Sequence, residues 1–200
     1  MKQVIFSLIF ALYSLSSWAF MPKTFEAQVI QKQKSALSGR IKESRGKLTY
    51  RYPGHLRFEI EKPDEVTFVS NKFKTWYYTG PFIDGESGEV TISNEGDHIL
   101  TKFFDSFSKG FKTNSLYEVE MADKLVEVTF DKKLQKELGV LSATFIFKTK
   151  KHKFEELEKL NILQHDKQEL TLMLEDIKFG QNFSDQIFVF QVPENTKIIQ

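Results

Sequence analysis

The sequence predicts a mainly β protein of the α+β kind, a strongly curved antiparallel sheet or partly open barrel carrying one helix. Two observations predict it. Short period-two segments, each closed by turn-forming residues, run along most of the chain, and a single stretch switches to helical period. Composition adds a large aromatic load: 20 phenylalanines in 200 residues, and no cysteine.

The richest segment is 46–82. Leu48, Tyr50 and Tyr52 fall on one face of a strand and Thr49 and Arg51 on the other, before Pro53-Gly54 interrupts pairing. Alternation resumes with Leu56, Phe58 and Ile60 opposite His55, Arg57, Glu59 and Glu61, one apolar face and one wet. Pro63-Asp64 ends that strand. Residues 66–69 begin a third, Ser70-Asn71-Lys72 supplies a turn, and 75–78 form a fourth with aromatic residues on both faces.

Residues 89–93 form another short strand after two Gly-containing turns. From Asp97 the period becomes helical. Leu100, Phe103, Phe104 and Phe107 stand at i, i+3, i+4 and i+7, with Asp97 as cap and Gly110 as terminator. This stripe fits a helix packed as core and a lipid-facing lid equally well. Strands are expected at 115–121, 125–130, 141–148, 157–163, 169–177 and 187–190. The hairpin connections 121–124 and 165–168 separate some of them, and 157–163 can also be drawn as a helix from Phe154. No repeat or linker divides the chain, so residues 20–200 are expected to form one domain.

The first residues resemble an export signal: Lys2, an apolar run over 4–15, and Ser17-Trp18-Ala19 as a small-x-small cleavage site. The run is shorter than the roughly 20 residues that span a bilayer. Cleavage after Ala19 is expected, leaving a soluble exported domain. It would remove Lys2, leaving 27 basic and 27 acidic residues, and Phe6 and Phe10, leaving 18 phenylalanines. A neutral balance excludes the electrostatic footprint of a nucleic-acid binder. An exported chain without cysteine is held by burial, not by disulfides.

Catalytic chemistry is absent from the pattern. His55, His98, His152 and His165 lack metal-ligand spacing. Gly85-Glu86-Ser87-Gly88 has no strand-to-helix setting that would expose a nucleophile. Asp64-Glu65 and Glu155-Glu156 sit beside turns as solvated charge. No enzyme activity, cofactor or metal is expected. Lys148, Lys150, Lys151 and Lys153 form a basic run that reads as a solvated hairpin end or as a contact for a membrane or partner.

The ordered set Gly46-x-Leu48, Tyr50, Pro53, Phe58, Pro63-Asp64-Glu65, Val69-Ser70, Trp76-x-Tyr78 and Pro81-Phe82 resembles the periplasmic outer-membrane lipoprotein carrier family, LolA. Phe25-Glu26-Ala27 with Gln31-Lys32, and the run from Ile187 to Pro193, fit the same family. The resemblance implies an unclosed β-barrel whose helical lid covers an apolar cavity for lipoprotein acyl chains. It implies acylated lipoproteins as cargo, an inner-membrane lipoprotein-releasing ABC transporter as donor and an outer-membrane acceptor, with the carrier a monomer. The lipid-binding set is then Leu48, Tyr50, Tyr52, Leu56, Phe58, Trp76 and Tyr78 on the cavity side, with Leu100, Phe103, Phe104 and Phe107 as lid.

Two departures stand out. The family has an arginine immediately before the proline matching Pro53, where it latches the lid; here Tyr52 occupies that place, and Arg51 points to the opposite face. Only residues 21–24 precede Phe25, where the family has an amphipathic helix. A lipid-sensing or regulatory protein-binding module on the same open barrel is the rival reading.

Overall fold

The computed structural model describes residues 20–34, 39–83, 85–94 and 99–199, with only the backbone of Ile99, Leu100 and Lys109. Among these residues twelve strands make one sheet: β1 (Thr24–Lys34), β2 (Ile41–Arg51), β3 (His55–Lys62), β4 (Val66–Ser70), β5 (Thr75–Thr79), β6 (Glu89–Ser93), β7 (Tyr117–Ala122), β8 (Leu125–Phe130), β9 (Val140–Phe147), β10 (Leu157–Gln164), β11 (Glu169–Phe179) and β12 (Lys197–Ile199). Helices α1 (Ile99–Ser106) and α2 (Lys132–Leu138) complete the fold.

The order across the sheet is β12-β6-β5-β4-β3-β2-β1-β11-β10-β9-β8-β7, with β12 and β7 as edges, so the barrel is unclosed. Every described pairing is antiparallel except β12 on β6, which is parallel. The β2–β3 register sets Leu48 opposite Phe58 and Tyr50 opposite Leu56, so both apolar sets share the concave face. A bulge beside Gly46 shifts this ladder, and a Cβ at Gly46 would lie 1.8 Å from the Glu59 carbonyl oxygen.

The hairpins at 121–124 and 165–168 form as expected; Asp123 and Lys167 adopt positive φ at their turns. Of the two readings of 157–163 the strand is realised, and the helical alternative survives only as a 3-10 turn at Phe154–Glu156. Helix α1 runs into a second 3-10 turn, Phe107–Lys109, and stops at Gly110 with φ 80°. The cap expected at Asp97 and the signal at 1–19 lie outside the described residues.

Two corrections concern elements. Helix α2 forms in the stretch expected only to connect the strands 125–130 and 141–148: Asp131 caps it by accepting from the Leu134 N–H at 2.8 Å, and Gly139 ends it in the left-handed region. The run 187–190 is not a strand. Asp185–Phe188 make a 3-10 turn whose carbonyls are taken by side chains: Arg57 donates to Ile187 O at 3.2 Å and Asn71 donates to Phe188 O at 3.1 Å. The C-terminal strand forms later, at β12.

The main core lies on the concave face. Phe20, Phe25, Phe107, Phe130, Phe145 and Phe154 are buried there among aliphatic side chains. A separate apolar layer lies on the outer face, where Val69, Trp76, Tyr78 and Val90 are covered by Phe190 and Val192 of the C-terminal segment.

Candidate functional site

Strands β1, β2, β3, β9, β10 and β11 curve around a cavity of about 180 Å³, roofed by α1 and α2. Leu48 and Leu56 line its floor, Phe58 its side, and Phe103 and Phe104 of α1 its roof. The remaining wall comes from Val29, Leu138, Val140, Ile162, Leu170 and Leu172, with Gln31 and Gln164 as polar points. The phenylalanines of the concave face therefore divide between two tasks. Most fill a solid aromatic centre: Phe107 packs on Phe145 at 4.9 Å and Phe25 on Phe154 at 4.7 Å, while the cavity beside them is mainly aliphatic.

Beyond Phe58 and Gln31, which both share, the cavity passes into an open groove of about 340 Å³. Ile60, Val66, Phe68 and Tyr77 line it, and the Lys42–Asp64 ion pair, 2.5 Å, sits at its rim. The roofed part alone is smaller than the roughly 300–1,000 Å³ of ordinary ligand sites. A sizeable apolar ligand therefore needs the groove or a displaced roof.

The roof is latched by a carboxylate. Asp105 of α1 accepts from the Tyr50 hydroxyl at 2.6 Å through Oδ1 and from the Gly54 N–H at 3.0 Å through Oδ2. Gly54 is placed by the β2–β3 turn at φ 71°, where a residue without Cβ is unstrained. Burial, reinforced by the Asp105 carboxylate, pushes the Tyr50 hydroxyl far above its ordinary range, so it remains a donor. At the far end of the helix, Tyr117 donates to Gly110 O at 2.7 Å and Ser106 O at 3.2 Å. Lys102 of α1 meets Glu137 of α2 at 3.7 Å, tying the two roof helices together.

Of the residues singled out from sequence, Leu48, Leu56, Phe58, Phe103 and Phe104 are brought together at the cavity. Tyr50 and Phe107 lie beside it in packed core, the first as latch donor. The Leu100 side chain lies outside the described residues, although its backbone is in the first turn of α1. Three placements are corrected. Tyr52 is in the turn after β2, 43% exposed, and the groups that donate to Asp105 are its neighbours Tyr50 and Gly54. Trp76 and Tyr78 face outward; β5 pairs Trp76 with Val69 and Tyr77 with Phe68, which sends Tyr77, not its neighbours, to the concave side. Aromatic residues on both faces left no alternation from which to choose.

Arg51 serves the outer face. It donates to Asp185 at 2.5 Å and to Phe183 O at 2.9 Å, with its guanidinium 4.9 Å from the Phe188 ring centre. No residues at 20–23 form a helix; Phe20 and Met21 instead pack into the core, Phe20 against Phe111 at 4.2 Å. The second covering helix is α2, contributed from the middle of the chain.

A model of the family described as outer membrane lipoprotein carrier protein LolA matches residues 21–191. The chain belongs to the LolA family. Its family is one of carriers, not of enzymes. Among its relatives, an outer-membrane lipoprotein carrier protein of Idiomarina loihiensis is 27% identical, covering 98% of this chain and 86% of that protein. A protein of the same description from Pseudoalteromonas translucida is 26% identical over 88% of this chain and 80% of its own length. Solved structures similar in shape include an uncharacterized conserved protein of Thermus thermophilus, with TM-score 0.49 and 10% identity over 92% and 91% of the two chains. A LolA superfamily protein of Nitrosomonas europaea follows, with TM-score 0.43 and 11% identity over 87% and 94%. Among the described residues no group of His, Cys, Asp and Glu is arranged to hold a metal.

Proposed function

We propose that this LolA-family protein carries acylated lipoproteins through the periplasm, their acyl chains held in the cavity beneath α1 and α2 and along the groove that continues from it. It takes them from an inner-membrane lipoprotein-releasing transporter and passes them to an outer-membrane acceptor. Residues 1–19 direct export and are removed. The observation that carries this reading is the roofed aliphatic cavity, a site with apolar walls and only Gln31 and Gln164 as polar points. Such walls hold an alkyl chain by burial alone, at about 0.8 kcal/mol per methylene.

Delivery requires that the roof lift and close, and the Asp105 latch supplies a joint that can do so. Two hydrogen bonds to one carboxylate exchange for water when α1 moves, so the net cost of opening is small beside the burial energy of a long acyl chain. The test is release of acylated lipoprotein from inner-membrane vesicles in the presence of the purified protein. Release above a protein-free control supports the carrier; release no greater than that control overturns it.

A further inference from the structure

The turns at one end of the barrel share a chemistry that the cavity does not use. Register places them together: Arg51 pairs with His55, Leu56 with Ser70 and Ser70 with Thr75, while Phe25 pairs with Phe179 and Leu125 with Ile146. The β4–β5 turn, the β7–β8 turn, the β9–β10 connection and the end of β11 therefore lie at the end that also carries the Asp105 latch.

At the tip of the β4–β5 turn Phe73 is 77% exposed, between exposed Lys72 and Lys74. Asn71 fixes that tip by accepting from the Phe73 and Lys74 N–H groups, both at 2.9 Å. Across the end, Lys112, Lys151 and Lys153 border a cleft of about 630 Å³ with Phe20, Phe111 and Phe154 in its lining. Met121 and Phe179, 53% and 41% exposed, stand at the same cleft. Asp123 and Glu155 answer two of the lysines of this end, Lys150 and Lys153. Lys72, Lys74, Lys112 and Lys151 enter no ion pair among the described residues.

We propose that this end docks on the anionic surface of a phospholipid bilayer, with Phe73 entering the interface and the lysines against the headgroups. This goes beyond the carrier reading, because it assigns a second surface with its own ligand. An exposed ring flanked by lysines suits an interface in which the ring is buried and the ammonium groups stay hydrated. Acidic and basic residues nearly balance over the whole molecule, so attraction depends on the lysines of this end that no carboxylate answers. No helix among the described residues is long and apolar enough to cross a membrane, so the contact is peripheral.

The experiment is co-flotation of the purified protein with vesicles of phosphatidylcholine, alone or mixed with phosphatidylglycerol, at low and high salt. Binding is expected to the mixed vesicles only, weakened by salt. Each lysine near such a surface contributes about fivefold, so Lys72→Gln with Lys74→Gln is expected to weaken binding about thirtyfold. Phe73→Ser should weaken it further. Both substitutions fall on an exposed turn tip, so the melting temperature serves to confirm the fold. Equal binding to neutral vesicles, or binding indifferent to these substitutions, would overturn the proposal. Capture of an acylated probe, measured on the same samples without vesicles, separates the two readings: its failure sinks the carrier and leaves docking intact, whereas loss of docking with capture retained sinks only the docking.

Discussion

Asp105 on α1 and Tyr50 on β2 meet at 2.6 Å, and the same carboxylate takes the Gly54 N–H at 3.0 Å. One side chain thus fastens the roof helix to a strand and to the turn that follows it. Tyr52 stands where the family resemblance implies an arginine, and it is Tyr50, two residues upstream, that donates to Asp105.

Asp105→Ala leaves a buried hydroxyl and a backbone N–H without their acceptor, which is expected to lower stability by about 1–3 kcal/mol. Tyr50→Phe removes one donor and is expected to cost less, about 1 kcal/mol. Chemical denaturation measures both, and amide hydrogen exchange should show faster opening confined to α1. Protection of α1 unchanged in Asp105→Ala would show that the latch does not hold the roof.

Filling the cavity should separate binding from folding. Leu170→Trp adds volume at a partly buried position on the cavity wall. It is expected to reduce capture of an acylated probe by tenfold or more, judged from the burial energy of a few displaced methylenes. The melting temperature should shift by only a few degrees. Leu56→Glu is a poorer test, because Leu56 is fully buried and an unpaired charge there also destabilises the fold.

Gly46 is predicted to be intolerant for a reason of space. A Cβ there would overlap the Glu59 backbone, so Gly46→Ala must part β2 from β3 at the bulge. A loss of about 1–3 kcal/mol is expected by thermal or chemical unfolding. Gly39, which has no neighbouring atom near its missing Cβ, is the comparison, although its positive φ makes alanine there strained as well.

The outer-face strap should respond to acid. His55 sits 5.2 Å from the Phe188 ring centre, and burial lowers its pKa despite the hydrogen bond to Pro53 O. A lowered folded pKa means that the unfolded chain binds the proton more readily. Stability from this group is therefore present above about pH 6.5 and declines as pH falls from there toward the folded value. His55→Gln is expected to flatten that part of the stability curve; an unchanged slope would exclude His55 as its source.

Much of the barrel was legible because one side of each central strand is apolar and the other wet. Leu56, Phe58 and Ile60 declared a face by alternation alone, and their partners on β2 followed. Residues 75–78 could not, since Trp76 and Tyr78 stand on one face and Tyr77 on the other, so either choice buries aromatic surface; the pairing of Trp76 with Val69 decides it. The cavity wall was harder still. Leu170 and Leu172 announce a strand, but their approach to Leu48 depends on β11 adding to β1 across the sheet, a long-range pairing absent from local pattern. Asp131 and Gly139 did carry the signature of α2 in the sequence. The Phe-rich end misled because its carbonyls bond to Arg57 and Asn71 instead of a neighbouring strand.

The most direct test of acyl chains lying under the roof is photocrosslinking of an acylated lipoprotein to benzoylphenylalanine placed at Phe58 or at Trp76. Phe58 stands where cavity and groove join, and Trp76 lies on the opposite face beneath the C-terminal segment. An adduct at position 58 and none at position 76 is the predicted result. An adduct at 76, or none at 58 while lipoprotein is still released from vesicles, would contradict it.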